Sequence, residues 1–269
     1  KAGQLEDAVA TFVDWQQQSP QNSDAWLKLI VALDLAKQNA NALQTASKAI
    51  TEFPNADVFK TLVVHYNTLL GNFAEGESFI NQLSASTLKK SSVQFVIGKF
   101  YYRAGKFNDA LVWLNKSYEQ SPTPSVAMGI ASAHMSKNEK VKAVEFLKRY
   151  HESVGGTVQT HQMAGLILLG YAPQQAVGEF KSALAKGTTS DNHNNLAFAY
   201  LKLSDFTKAM EEVDQALALD SSNTSAKSTK VSVLYQSGKK EKALGLLDEY
   251  QQEHPEDEGL ATLRQQLTQ

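Results

Sequence analysis

The chain contains no cysteine, which excludes disulfides, thiolate metal sites and a cysteine nucleophile while leaving reducing and oxidising compartments equally open. Neither charge sign prevails: 26 Lys and Arg stand against 28 Asp and Glu, for a net charge of -2. A broad basic field of the kind that nucleic acid or an anionic membrane requires is therefore missing, and neither is expected as a partner. Apolar runs fall far short of the ~20 residues that span a bilayer, and no charged-then-apolar leader opens the chain, so membrane insertion by this segment is not expected. Prolines are scarce, six in 269 residues, and with 42% hydrophobic and 20% charged residues the composition is that of one large ordered domain or an elongated array.

What the chain does have is a period. Ala8, Ala42, Gly76, Ala110, Ala143, Ala176, Ala209 and Ala243 form a column of small residues spaced by 33 or 34 positions. Gly3, Gly71, Gly105 and Gly238 stand five residues before their small residue, and Pro20, Pro54, Pro122 and Pro255 stand twelve after theirs. A unit of two antiparallel helices accounts for each column. The glycine takes the left-handed conformation that ends the first helix. The second helix then starts on Leu5, Phe73, Phe107 or Phe206, and the small residue three positions later lets the paired helices approach closely. A large residue four further on (Phe12, Ile80, Leu114, Leu147, Phe180, Val213, Leu247) shares that face. The proline blocks continuation. Counting gives a lone second helix within 1–20, seven units over about 23–255, and a last capping helix at about 258–268. The phase is unbroken across Gly155–Gly156, so a single continuous array over 1–269 is expected. Because the chain opens at Lys1 on a second helix, we read it as a fragment of a longer protein.

These columns resemble the tetratricopeptide repeat, most fully at 91–122, where Ile97, Gly98, Tyr101, Gly105, Phe107, Ala110, Leu114 and Pro122 fall on pattern. The resemblance implies an all-α fold, a right-handed superhelical α-solenoid of antiparallel helix pairs. Two units depart from the pattern and are expected to form irregular joints: 57–88, with Gly76 for alanine and Leu88 for proline, and 157–187, whose turn reads Gly170–Tyr171–Ala172–Pro173.

Sites for chemistry are hard to find. No P-loop, dinucleotide fingerprint or nucleophile elbow occurs. The six histidines are scattered along the units and never show the one-turn pairing of a zinc motif, so no metal, cofactor or catalytic residue is expected and the chain reads as a non-enzyme. Function then falls to the concave wall that stacked first helices share. Carrying over the family's groove positions places Phe95, Lys99, Tyr102, Arg103, Met128 and Met135 there, followed by His161, Asn194, Phe198 and Tyr235. His65, Ser132, Leu168, Lys202 and Ser228 extend the same lining. Aromatic and methionine side chains of this kind suit an extended or helical peptide, and Lys99 and Arg103, one turn apart, suit a carboxylate or phosphate on it. The family's clamp for chaperone tails is not expected, since Val31 and Leu62 stand where its asparagines would be.

The leading reading is a scaffold that binds a partner protein or peptide in its groove. Self-association into a homo-oligomer through the end faces and a carbohydrate-binding module built on Tyr235 and Asn194 are the readings from other classes. Trp15 in its Phe-Val-Asp-Trp run, Ser121–Pro122–Thr123–Pro124 and Asn194–Asn195–Leu196–Ala197 are also similar to the large tetratricopeptide lipoproteins near bacterial exopolysaccharide loci. That likeness implies a Gram-negative periplasm or envelope setting in polysaccharide synthesis or export. The repeat phase itself is testable: Ala110→Trp is expected to cost about 1–3 kcal/mol by overpacking and to broaden thermal unfolding by melting its own unit first. An unchanged, two-state transition would show the phase to be wrong.

Overall fold

The computed structural model describes residues 2–268, and among them seventeen helices and no strand are found. Residue contacts divide the chain into two compact units, Lys1–Asn138 and Glu139–Gln269. In the first unit the helices are α1 (Ala2–Gln18), α2 (Ser23–Leu35), α3 (Asn39–Glu52), α4 (Asp57–Leu70), α5 (Phe73–Ile80), α6 (Ala85–Leu88), α7 (Ser91–Arg103), α8 (Phe107–Gln120) and α9 (Pro124–Ser136). In the second they are α10 (Lys140–Val154), α11 (Val158–Leu168), α12 (Pro173–Lys186), α13 (Ser190–Lys202), α14 (Phe206–Leu219), α15 (Thr224–Gln236), α16 (Lys240–Glu253) and α17 (Glu258–Thr268).

The small-residue column lies where helices touch. Ala42, Ala110, Ala143, Ala176, Ala209 and Ala243 are all fully buried. Facing them, glycines of the first helices receive the large side chains of the second: a Cβ on Gly98 would sit 2.7 Å from Leu114, and one on Gly165 2.6 Å from Phe180. Gly76 replaces alanine for the same reason, because a Cβ there would lie 2.5 Å from the Phe100 ring. The prolines Pro20, Pro54, Pro122 and Pro255 each stand two residues beyond the last residue of α1, α3, α8 and α16. Each of these helices ends where the ring would remove a backbone donor. At the first of them Trp26 Nε1 donates to the Pro20 carbonyl at 2.9 Å, which ties α2 to the turn before it.

The turn inside each pair is more regular than its sequence. Gly71, Gly105 and Gly238 are left-handed, as their column requires, and the same register holds Lys37, Asn138 and Ser204 at φ 58°, 60° and 59°. Tyr171, in the departing Gly170–Tyr171–Ala172–Pro173 turn, is absent from this set.

The other departing unit breaks its second helix. α5 stops after eight residues and the four-residue α6 follows. Asp57 at the start of α4 holds that joint: Ser84 N–H donates to Oδ2 at 2.9 Å and Lys60 Nζ to Oδ1 at 3.2 Å. Hydrogen bonding from the Ser84 side chain, opposed by burial and reinforced by the Ser84 backbone, Thr87 and Lys60, holds the Asp57 carboxyl well below the usual carboxylate range.

Two outcomes follow from this geometry. Ser204→Gly is expected to raise unfolding free energy by about 0.5–1 kcal/mol, since a side chain in the left-handed region costs more than the added freedom of glycine; urea unfolding measures it, and Asn138→Gly is expected to gain less because asparagine tolerates that region. Asp57→Asn is expected to cost about 1–2 kcal/mol at pH 7 through lost charge-assisted hydrogen bonds. A depressed folded pKa confers stability that is present above the unfolded value and lost as pH falls through the folded one. The gap between wild type and Asp57→Asn is therefore expected to narrow once pH drops below about 4, as urea unfolding across that range would show.

Candidate functional site

Each unit carries a groove built from first helices. In the first unit α4, α7 and α9 enclose about 350 Å³. α4 supplies His65, Thr68 and Leu69. α7 supplies Phe95, Val96, Lys99, Tyr102 and Arg103, and α9 supplies Ser125, Met128, Gly129 and Ser132, with Leu114 of α8 as floor. Gly98 explains why these side chains face one way: by touching Leu114 it turns residues three before and one, four and five after it toward the groove. Phe95, Tyr102 and Met128 are half-buried, whereas Lys99 and Arg103 are exposed at the rim. Lys99 Nζ stands 5.5 Å from the centre of the Phe95 ring, and the Tyr102 hydroxyl accepts from Ser136 Oγ at 3.3 Å. Burial, followed by the nearby Lys99 charge, pushes the His65 pKa below its ordinary value, with Asp34 acting against them. The groove is thus an apolar, aromatic slot with a neutral imidazole inside and two cations at its edge. Met135, one turn beyond Ser132 on α9, is half-buried outside it.

In the second unit α11, α13, α15 and α17 enclose about 600 Å³. Leu166 and Leu169 form one wall, and Asn194, Asn195 and Phe198 the centre. Ser225, Ser228 and Thr229 continue it to α17, which contributes Glu258, Thr262, Leu263 and Gln266. Phe198 is 36% exposed, with Lys202 Nζ 5.2 Å from its ring centre. Asn194 Oδ1 is sealed from solvent without a hydrogen-bond partner among the described residues, a costly state for a polar acceptor.

Besides Met135, the expected lining residues His161, Leu168 and Tyr235 are placed elsewhere. His161 and Leu168 are 7% and 1% exposed and face away from the groove. On α11 the contact with Phe180 is made by Gly165, and the groove offsets counted from it give Gln162, Leu166 and Leu169, one residue out of step with His161 and Leu168. Gly165 was the sequence signal for the correct face. Tyr235 packs beneath α17, donating its hydroxyl to the Leu267 carbonyl at 2.9 Å, and so offers no open platform for a sugar ring.

His161 instead meets two residues that the spacing in sequence did not connect. Its Nδ1 is 2.7 Å from Glu179 Oε2, and His151 Nδ1 is 3.5 Å from the same oxygen. Burial first, then the His161 charge, holds the His151 pKa below its ordinary value, with Glu179 opposing.

Both units show helix pairs with small residues at the contact, left-handed inner turns and a row of first helices along one groove. Two segments, residues 1–57 and 200–267, match the tetratricopeptide repeat family. The chain is a tetratricopeptide repeat protein. Among solved structures it is similar to yeast Tom70, with a TM-score of 0.63 at 14% identity over 92% of this chain and 55% of that one. It is also similar to MamA residues 41 to the end from Desulfovibrio magneticus RS-1, with a TM-score of 0.55 at 15% identity over 62% of this chain and 97% of that one. Identities this low speak for the fold alone. Among curated proteins, the Cell division cycle protein 27 homolog A of Arabidopsis thaliana is 26% identical over 121 residues, which is 45% of this chain and 17% of that protein's length. Tetratricopeptide repeats generally serve as non-catalytic scaffolds for protein or peptide partners.

Proposed function

We infer that the protein is a non-catalytic scaffold whose first-unit groove binds a short segment of a partner protein that carries an acidic group beside a bulky apolar side chain. The observation that supports this most directly is the convergence of Phe95, Tyr102 and Met128 on one slot edged by Lys99 and Arg103. Rigid aromatic rings and an adaptable thioether contribute area with little entropy loss, and the paired cations orient a carboxylate. The second groove suits a backbone: Asn194, Asn195, Ser225 and Ser228 line it beside Phe198 and offer amide and hydroxyl groups to peptide N–H and C=O groups. Self-association through the C-terminal end has less support, since α17 covers that end with Leu260 fully buried against Leu247 and Val231. The exopolysaccharide setting is supported by the short motifs around Trp15, Pro122 and Asn194 alone.

Selection from a displayed peptide library tests the reading. The expected winners pair an acidic residue with a large apolar one, and Lys99→Ala with Arg103→Ala is expected to weaken them at least tenfold, the loss of charge-assisted contacts of about 1.5–3 kcal/mol. Phe198→Ala, in the other unit, should leave the same peptides bound. Binding indifferent to Lys99, Tyr102 and Arg103 would overturn the assignment.

A further inference from the structure

Outside both grooves, the second unit gathers two imidazoles and a carboxylate in its interior. His151 lies in the last turn of α10, His161 in the first turns of α11 and Glu179 in the middle of α12. Their side chains are 11%, 9% and 15% exposed. The two rings lie 3.8 Å apart between centroids at 34°, and both present Nδ1 to Glu179 Oε2. One ligand atom from each residue lies within 4.8 Å of the others. His151 Nε2 is sealed from solvent and has no hydrogen-bond partner among the described residues.

The chain has been shaped around this cluster. Gly156 crosses over the rings, and a Cβ on it would fall 2.6 Å from His161 Nε2 and 2.7 Å from His151 Cδ2. Its φ of 63° also favours glycine, so the Gly155–Gly156 connection does more than link α10 to α11. Thr157 caps α11 reciprocally with Thr160, which fixes the turn from which His161 projects. Among the described residues Glu179 has no ion pair with a lysine or arginine, so the two imidazoles are its charge partners in contact, with the Lys186 charge acting on His151 from further away.

We propose that His151, His161 and Glu179 form a binding site for a divalent transition metal of the zinc class, which pins α10, α11 and α12 together. Two imidazoles and a carboxylate are a borderline-soft donor set that zinc accepts, whereas magnesium and calcium require more oxygens. Ligands of a tetrahedral zinc ion stand about 3.3 Å apart. The observed 2.7 Å and 3.5 Å bracket that separation. A water would complete the coordination. The role is structural, since the cluster is enclosed and opens on neither groove.

A titration of the chelator-stripped full chain with Co²⁺, followed by visible absorption, and thermal unfolding with and without Zn²⁺ test the site. The expected result is one equivalent of Co²⁺ giving the absorption of a tetrahedral nitrogen and oxygen site, displaced by Zn²⁺, with a rise in Tm. Glu179→Gln and His151→Gln are each expected to lower affinity at least tenfold and to abolish the rise. His151→Gln guards against a mere folding defect: His151 Nε2 makes no hydrogen bond among the described residues, and a glutamine amide can keep the polar contacts of the ring to Glu179 Oε2 and the Thr160 backbone, so its Tm in chelator should stay near wild type. His193→Gln is the control: His193 Nδ1 pairs with Glu212 Oε2 at the same 2.7 Å but without a second imidazole, and it should leave metal binding intact. The absence of a one-equivalent spectral change, or binding that survives both Glu179→Gln and His151→Gln, would overturn the proposal.

Discussion

Everything in this protein depends on how closely two helices of a pair can approach. At that contact one helix presents alanine or glycine and the other a large apolar side chain, as where Leu114 fills the space above Gly98 and Phe180 the space above Gly165. The dispersion and burial gained at such a contact are lost if either partner grows or shrinks, because the packed interior tolerates neither clash nor void. The contact also fixes rotation of each first helix about its own axis. Which residues face the groove is therefore a consequence of which small residue faces the partner helix.

That coupling explains why the two grooves differ while their scaffolds agree. In the first unit, rotation set by Gly98 brings aromatic side chains inward and leaves Lys99 and Arg103 at the rim. In the second, Gly165 turns Leu166 and Leu169 to the surface and buries His161 on the other side, where Glu179 of the next helix receives it. One rotation thus assigns α11 both a groove wall and a buried polar cluster. The first unit's groove presents aromatic rings edged by cations; the second presents amide and hydroxyl groups.

Local departures from the repeat are absorbed by polar contacts instead of by changes in the contact itself. The interrupted helix at α5 and α6 is held by Asp57 and Ser84. Left-handed turns persist at Lys37, Asn138 and Ser204, where no glycine stands. At Lys37 and Ser204 the pairing of the flanking helices, α2 with α3 and α13 with α14, supplies the free energy that keeps those side chains in an unfavourable backbone region.

The amino-acid sequence by itself determined the helical class, the repeat period, the helix boundaries to within a few residues and the face of α7, because each rests on short-range periodicity: a small residue, a left-handed turn and a proline at set distances. Phe95, Lys99, Tyr102 and Arg103 could be read for the same reason, since they share one helix with the Gly98 that orients it. Tertiary structure alone decided the rest. His151, His161 and Glu179 stand on three helices separated by two turns, so no spacing along the chain signals their meeting. Tyr235 has the right phase for a groove and is covered only because α17 folds back upon it. Periodicity specifies which way a side chain points from its own helix; what it then meets depends on the rotation and reach of neighbouring helices.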